Sequence, residues 1–407
     1  MVVAASRSRN YTRRPRRQNP PYMINYAGIL DPSWGVVVPV HILAKEKCMV
    51  DEVRDVLSGI IDPHVNVDLV SSGQVDSIDI DEDLVSINII LGYPAASWFK
   101  TLEAQVREAV MALEHISKVD VLVSSKVVGH EVQKGVTPLP GVRNMIAVAS
   151  GKGGVGKSTV SANLALALAS EGARVGILDA DIYGPSQPRM LGIVGEPSTS
   201  DGKHLEPMIK YGLQAMSIGL LIDEETPMIW RGPMVTQALE QLLNDTNWTD
   251  LDYLVIDLPP GTGDTQLTLA QKVPVSGALI VTTPQDIALL DAKKAFKMFE
   301  KVEIPILGLV ENMSTHICSK CGYEEHIFGE GGGKAMATEY EIDYLGNIPL
   351  ARSIREGADS GNPTVVAEPE GSLAEIYRNI GRNTAGRLAA RKRDYTDVFP
   401  SIVIQNS

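Results

Sequence analysis

Apolar residues follow two alternating patterns along this 407-residue chain. Between about residues 144 and 370, short and nearly continuous apolar runs alternate with longer segments of helical spacing. Such runs are typical of strands that are buried on both faces. Their alternation with helices predicts an α/β domain with a mostly parallel sheet. The predicted core strands are 145–149, 174–178, 253–256, 278–281 and 306–310.

Residues 49–125 show the pattern of a separate, small α+β domain. Val50, Val53 and Leu57 recur at helical spacing, whereas the apolar residues of 84–91 alternate as in a strand with one buried face. The predicted order is a helix that begins at residue 49, strands 75–80 and 84–91, a helix over 99–116, and a strand over 119–123.

Three further segments flank these two domains. Residues 126–143 contain several glycines and prolines and are predicted to be a linker. Residues 371–407 are predicted to form a final helix over 372–393 and a tail. Residues 1–48 carry six arginines among Pro, Asn and Ser, and we expect them to be disordered. A targeting peptide, a nucleic-acid-binding arm and an upstream start codon could each produce this extension, and we favour translation from Met49.

Composition narrows the classes of function. The formal net charge of −13 argues against nucleic acid as an electrostatic partner. No apolar run approaches the roughly 20 residues of a membrane span, so we expect no membrane partner. Three cysteines in this length do not form a disulfide framework and fit a reducing cytoplasm.

The strongest motif lies between the strand 145–149 and an Ala- and Leu-rich helical segment. It fits the phosphate-binding pattern G-x-x-x-x-G-K-[ST], in which glycines turn backbone N–H groups towards an anion at a helix N-terminus. We expect Lys157 to reach the β- and γ-phosphates of ATP and the Ser158 hydroxyl to ligate Mg²⁺. The residues of this predicted phosphate loop are Gly151, Lys152, Gly153, Gly154, Val155, Gly156, Lys157, Ser158 and Thr159.

Acidic residues follow two of the predicted core strands. Asp179 and Asp181 come after 174–178, and Asp257 comes after 253–256. Since ligands bind at the carboxyl ends of parallel strands, we expect Asp257 to share Mg²⁺ with Ser158, and Asp179 to support that metal site. Gly261 would let a backbone N–H approach the γ-phosphate. Either acid of the first pair, taken alone, could instead be a helix N-cap.

Cys318 and Cys321 form a C-x-x-C pair, and Cys48 is given no role. The pair could be a redox dithiol, or it could bind zinc together with His316 and His326. It could also combine with the same pair of a second copy across a two-fold axis, which would supply the four thiolates of a [4Fe–4S] cluster.

The phosphate loop, with its extra Lys152, resembles the deviant Walker A family, which includes septum-placing, plasmid-partition and iron–sulfur carrier ATPases. This resemblance implies a P-loop NTPase fold and a face-to-face dimer in which Lys152 reaches the partner's nucleotide. It also implies that Asp181 is the carboxylate that orients or activates water, and that Asn312 recognises the adenine edge.

The segments 151–159, 179–186, 230–234, 257–264 and 311–314, followed by C-x-x-C, most resemble the Mrp/NBP35 family of iron–sulfur cluster carriers. This resemblance implies a slow ATPase that binds a labile [4Fe–4S] cluster at Cys318 and Cys321 between subunits. Its partners would be a cluster-assembly scaffold and apo iron–sulfur proteins. The alternative is a positioning or partition ATPase with structural zinc at the cysteine pair.

Residues 49–125 are similar to the MIP18-type domain that precedes many such carriers. Many of these domains have a cysteine between the second strand and the second helix. The corresponding stretch 92–98 contains none, so we do not expect this domain to bind the cluster directly.

Overall fold

A computed structural model of the protein describes residues 28–30, 37–222, 232–318 and 320–391. The chain divides into two compact units, Met1–Glu52 and Val53–Ser407. The first unit contains two short antiparallel strands, β1 (Gly28–Leu30) and β2 (Val37–Pro39). They are followed by helix α1 (Val40–Ser58), which continues into the second unit.

The predicted disorder of residues 1–48 is therefore wrong for the strands and for the first part of α1. The helix begins at Val40 and not at Met49. Apolar positions 40, 43, 50, 53 and 57 share one helical face, so the helical pattern extends upstream of the boundary that the arginine-rich composition suggested. The remaining residues of 1–48 lie outside the described part of the chain.

The small domain, residues 53–125, contains a three-stranded sheet. In this sheet β5 pairs antiparallel with β6, and β6 pairs parallel with β7. Helix α2 begins where predicted but ends at Met111, because i→i+3 turns replace the last predicted helical residues. The elements are β3 (Ile61–Asp62), β4 (Val67–Asp68), β5 (Val75–Asp81), β6 (Leu84–Leu91), α2 (Phe99–Met111) and β7 (Lys118–Ser125).

An eight-stranded sheet forms the core of the rest of the second unit. Its strands are β8 (Val142–Ala149), β9 (Val175–Asp179), β10 (Met208–Lys210), β11 (Leu213–Ser217), β12 (Leu251–Asp257), β13 (Gly277–Thr282), β14 (Ile306–Asn312) and β17 (Tyr344–Ile348). Between β14 and β17 the chain forms a separate hairpin of β15 (His316–Ile317) and β16 (Glu324–Glu325). The strand order is β10-β11-β9-β12-β8-β13-β14-β17, and only β10 is antiparallel to its neighbour. The predicted, mostly parallel sheet is confirmed.

Each of the five predicted core strands overlaps a strand of this sheet. The missed strands β10, β11 and β17 lie towards its two edges. Strand β17 contains Gly346 and Asn347, which interrupt the apolar run that identifies a central strand. Strand β8 begins at Val142, so the predicted linker is two residues too long at that end.

Helices cover this sheet. Helix α11 begins at the predicted residue but ends at Ala389, and residues 392 and 393 lie outside the described part. Among the described helices, none is long and apolar enough to cross a bilayer. The helices are α3 (Lys157–Ser170), α4 (Gln187–Leu191), α5 (Gly232–Asp245), α6 (Asp264–Lys272), α7 (Asp286–Lys301), α8 (Gly332–Glu339), α9 (Arg352–Asp359), α10 (Thr364–Ala367) and α11 (Ser372–Ala389).

A buried carboxylate organises the small domain. Asp62 accepts hydrogen bonds from the Tyr93 hydroxyl at 2.8 Å, from the Gln74 amide at 2.8 Å and from the His64 backbone N–H at 2.9 Å. Burial and the neighbouring Asp62 charge raise the pKa of Tyr93, so its hydroxyl stays protonated and donates. These donors compensate the loss of hydration of the Asp62 carboxylate.

Replacing Tyr93 by Phe removes one of these donors and keeps the packing of the ring. We expect the free energy of unfolding to fall by roughly 1–3 kcal/mol, because a buried acceptor loses a partner. Equilibrium urea unfolding measures the change. The Tyr323→Phe variant, whose ring is exposed, is the control and should shift by less than about 0.5 kcal/mol. Equal stabilities of the two variants would contradict the role of the hydroxyl.

Candidate functional site

Three predicted site segments meet because their strands are neighbours in the sheet. Strand β12 lies between β9 and β8. Asp257, at the end of β12, is in register with Asp179, at the end of β9, and with Val148 of β8, just before the phosphate loop. The structure therefore brings the two acids and the loop together at the carboxyl ends of these three neighbouring strands.

The phosphate loop depends on its glycines for two reasons. Gly154 and Gly156 have φ values of 80° and 82°, in the left-handed region that favours glycine. A Cβ atom on Gly156 would also lie 2.2 Å from the Asn312 amide nitrogen, and one on Gly151 would lie 2.1 Å from the Asp291 backbone. The loop then leads into α3, which begins at Lys157.

Lys157 forms a buried ion pair with Asp257. The Nζ–Oδ1 distance is 2.5 Å, and the two side chains are 5% and 0% exposed. The same carboxylate accepts hydrogen bonds from the Ser161 hydroxyl at 2.8 Å and from the Gln187 amide at 2.9 Å. Lys157 also donates to the Ser158 hydroxyl at 3.2 Å. The predicted phosphate ligand and both predicted magnesium ligands are therefore in contact.

Asp179 is fully buried and organises the segment that follows β9. It accepts hydrogen bonds from the backbone N–H groups of Ser186 and Gln187 at 2.9 and 3.0 Å, and from the Ser217 hydroxyl at 3.1 Å. Burial, and next the charge of Asp257, raise the pKa of Asp179 to about 7. Asp179 therefore shapes the loop that carries Asp181.

Asp181 is only partly buried, in contrast to Asp179. Its backbone N–H donates to Asp179 at 3.2 Å, and burial raises the pKa of its carboxyl group. A more accessible carboxylate with a raised pKa is suited to accept a proton from water. The predicted catalytic role of Asp181 is compatible with this geometry and stays a prediction.

Asn312 and Gly261 both contact the base of the phosphate loop. The Asn312 amide nitrogen donates to the Val155 carbonyl at 2.8 Å, and its oxygen accepts from the Met313 N–H at 3.0 Å. Gly261, with φ 104°, donates its N–H to the Ser150 carbonyl at 3.0 Å. Asn312 therefore braces the loop, and its predicted recognition of adenine stays a prediction.

Lys152 differs from Lys157 in its surroundings. Its side chain is partly exposed, and among the described residues its ammonium has no ion-pair or hydrogen-bond partner. The loop at this point is fixed by the Ser150 hydroxyl, which donates to the Lys152 carbonyl at 2.9 Å. The Lys152 cation is therefore accessible to a ligand from outside, and its role at a partner's nucleotide stays a prediction.

Cys318 and Cys321 lie in the turn that joins β15 to β16. The turn is closed by hydrogen bonds from the Cys318 N–H to Tyr323 and from the Gly322 N–H to Cys318, both at 2.9 Å. Backbone N–H groups of Lys320 and Cys321 point at the Cys318 sulfur and lower the pKa of its thiol. This favours the thiolate, which is the form that binds metals.

The histidines near the cysteine pair do not complete a zinc site. His316 Nδ1 lies 3.1 Å from the Leu350 carbonyl, and His326 Nε2 lies 3.8 Å from Glu330. No group of three His, Cys, Asp or Glu side chains in the described part of the chain could hold a metal ion. The described residues therefore do not assemble a Cys₂His₂ zinc site within one chain, and that alternative stays a prediction.

Three residues of the site were not predicted from the sequence. Gln187 joins Asp257 to the Ser158 carbonyl, Ser161 donates to Asp257, and Ser217 donates to Asp179. Two of them had a signal in the sequence. Gln187 directly follows the segment 179–186, and Ser161 lies one helical turn after Lys157.

Family models match two parts of the chain. Residues 141–385 match the model of the NUBPL iron-transfer P-loop NTPase, and residues 50–123 match that of the iron–sulfur cluster assembly protein. The chain belongs to the NUBPL family of P-loop NTPases. Nucleotide binding and hydrolysis are the general properties of that class. The resemblance noted from the motifs is confirmed.

The chain is similar to several named proteins. The chain is 57% identical to an iron–sulfur cluster carrier protein of Pseudomonas fragi over 281 residues, which is 69% of this chain and 98% of that protein. It is 50% identical to the iron–sulfur cluster carrier protein of Escherichia coli over 75% of this chain and 84% of that one. A nucleotide-binding protein from Archaeoglobus fulgidus, solved in complex with ADP, superposes with a TM-score of 0.50 and 39% identity, over 58% and 92% of the two chains.

The raised pKa of Asp179 predicts a pH dependence of stability in the nucleotide-free protein. The folded chain keeps a proton on Asp179 up to about pH 7, whereas the unfolded chain releases it near pH 4. The contribution of the protonated Asp179 side chain to the free energy of unfolding is therefore present at low pH and is lost as the pH rises. Between about pH 5.5 and about pH 7.5, the free energy of unfolding should fall by about 2 kcal/mol more in the wild type than in Asp179→Asn. Parallel urea titrations that show the same pH dependence in both proteins would contradict the assignment.

Proposed function

We propose that the protein is a homodimeric ATPase that assembles a labile [4Fe–4S] cluster between its subunits and transfers it to apo iron–sulfur proteins. One observation carries this proposal. Asn312, at the end of β14, contacts the phosphate loop, and the first of two accessible thiols, that of Cys318, follows six residues later. The residues proposed to bind nucleotide and those proposed to bind the cluster are therefore close together along the chain.

The residues present fit ATP and Mg²⁺. The backbone N–H groups of the phosphate loop and the Lys157 ammonium would hold the phosphates, while Ser158 and Asp257 would hold Mg²⁺. Bound Mg²⁺ neutralises the charge that develops on the transferred phosphoryl group. Because Lys157 lies on Asp257 in this structure, it has to exchange part of that contact for phosphate. Asp181 would orient the attacking water.

The cysteine turn supplies two thiolates, whereas a [4Fe–4S] cluster takes four. A second copy related by a two-fold axis supplies the other two. Around the thiols the chain exposes the apolar side chains of Ile317, Tyr323 and Ile327, between 50% and 67% exposed. Exposed apolar side chains grouped in this way support burial against another protein. The free Lys152 cation supports an interface that also reaches the partner's nucleotide.

The names of the relatives support an iron–sulfur cluster as the cargo. The proteins of Pseudomonas fragi and Escherichia coli are iron–sulfur cluster carrier proteins. By the same chemistry, the partners of this chain would be a cluster-assembly scaffold and apoproteins, with no nucleic acid or membrane involved. Free thiols and a labile cluster require reducing conditions, so we place the protein in the cytoplasm.

The cluster is tested by anaerobic reconstitution with iron and sulfide. We expect a coloured dimer with about four irons and four sulfides per two chains, because the two cysteine pairs bind one cluster. Cys318→Ser and Cys321→Ser should lose the cluster and the dimer that it bridges. Cys48→Ser is the matched control and should keep both. Colour retained in the first two variants, or a colourless protein with about one zinc per chain, would exclude the shared cluster.

The coupling between ATP and the cluster is tested with Lys157→Ala. We expect ATP hydrolysis to fall by about 100-fold or more, because the cation that stabilises the phosphoryl group is lost. The variant should still take up a cluster but donate it slowly to an apoprotein. Thermal unfolding checks that the variant is folded, and Lys294→Ala, at an exposed surface ion pair, is the control. Transfer at the wild-type rate would contradict the coupling.

A further inference from the structure

The small domain contacts the far end of the helix that begins at the phosphate loop. Glu171, just after α3, is 0% exposed and forms an ion pair with Arg382 of α11, which is 6% exposed, at 2.6 Å. From the small domain, Ser97 donates its N–H and its hydroxyl to the same carboxylate at 2.8 and 2.5 Å. The Ala96 N–H donates to the Glu171 backbone carbonyl at 3.3 Å and so caps the end of α3.

A second contact lies beside the first, on α11. Asn383 Nδ2 donates to the Leu345 carbonyl at 2.9 Å, which turns its Oδ1 towards His64 Nδ1 at 2.8 Å. His64 therefore carries its proton on Nδ1 and donates it to Asn383. Gly386 lies against the His64 backbone, since a Cβ atom on Gly386 would be 2.4 Å from the His64 carbonyl oxygen. We call these two contacts together the dock.

Helix α3 connects the dock to the nucleotide site. Its first residue is Lys157, which pairs with Asp257, and its 14 residues span about 21 Å. It is buried along most of its length, and Asn163 accepts the Val365 N–H at 3.1 Å. A helix enclosed in this way moves as a rigid element, so a displacement at one end is transmitted to the other.

We propose that the small domain is a clamp on the phosphate-loop helix, so that docking at Glu171 and nucleotide binding at Lys157 stabilise each other. The inference rests on nucleotide binding at the phosphate loop, which is part of the proposed function. Undocking would leave the charges of Glu171 and Arg382 without their Ser97 partner and would uncap the last turn of α3. In the proposed function, nucleotide phosphates bind at Lys157, in the first turn of the same helix. Two events that stabilise the position of one helix favour each other, and their coupling is reciprocal.

The test uses Gly386→Ala. The added methyl group meets the His64 carbonyl and opens the dock, while alanine suits helix α11 better than glycine does. The matched control is Gly381→Ala on the same helix, where a Cβ atom would make only van der Waals contact with α3, at 3.4 Å from Ala167. Hydrogen exchange at the Ala96 and Ser97 amides reports docking, and calorimetric titration with ADP reports nucleotide affinity.

In the wild type and in Gly381→Ala, ADP should slow exchange at these two amides by about five-fold or more. In Gly386→Ala the same amides should exchange faster, and the affinity for ADP should fall by about the same factor, as reciprocity requires. Ser97→Ala removes the hydrogen bond that the hydroxyl donates to Glu171 and the one that it accepts from Arg382, without a clash, and should shift both quantities in the same direction to a smaller extent.

The results separate this inference from the proposed function. A wild type that binds no ADP would overturn the proposed function. A variant could instead exchange its Ala96 and Ser97 amides faster and still bind ADP within about two-fold of the wild-type affinity. That result would overturn the clamp proposal and leave the proposed function intact. Unchanged exchange in both Gly386→Ala and Ser97→Ala would also overturn it, because the dock would then not depend on these contacts.

Discussion

The buried ion pair between Lys157 and Asp257 is the interaction on which the site depends. Both groups have lost most of their hydration, and breaking such a pair by removing one partner costs several kcal/mol. The pair fixes the start of α3 against the end of β12. Gln187 extends the same network to the segment after β9, because its backbone binds Asp179 and its side chain binds Asp257. The loop, both strands and the following segment are thereby held in one arrangement before any ligand binds.

The cysteine turn is constrained much less, and this contrast suits a carrier. A site that must release its cargo is better built on a short hairpin at the surface than within the core. The connection between the two sites is nevertheless short. Asn312 contacts Val155 in the phosphate loop, and the following residues are held by hydrogen bonds of Ser314 to Ile348 and of Leu350 to Thr315. The phosphate loop and the base of the cysteine turn are therefore linked by few contacts.

The sequence was informative wherever local pattern decides structure. Continuous apolar runs located the central strands, and the glycine spacing located the phosphate loop. Prediction from the sequence failed where the contact that fixes the structure joins residues far apart along the chain. Arg382 and Glu171 are 211 positions apart, and no periodicity relates them. His316 Nδ1 lies 3.1 Å from the carbonyl oxygen of Leu350, 34 positions along the chain, and no local pattern indicates that contact either. The arginine-rich composition of residues 1–48 conceals the helical face of α1, which continues upstream to Val40.

Burial of the pair between Glu171 and Arg382 also bears on why the small domain and the NTPase domain occur in one chain. The two family models match separate segments, yet Ser97 from one segment completes a buried network of the other. The cost of removing these charges from water is recovered only when their partners are all in place. Partial docking is therefore unfavourable, and the proposed clamp has two states, docked and released. A junction with two such states would respond to a small change in free energy at the other end of α3, which is the property that the proposed coupling of ATP to cluster transfer needs.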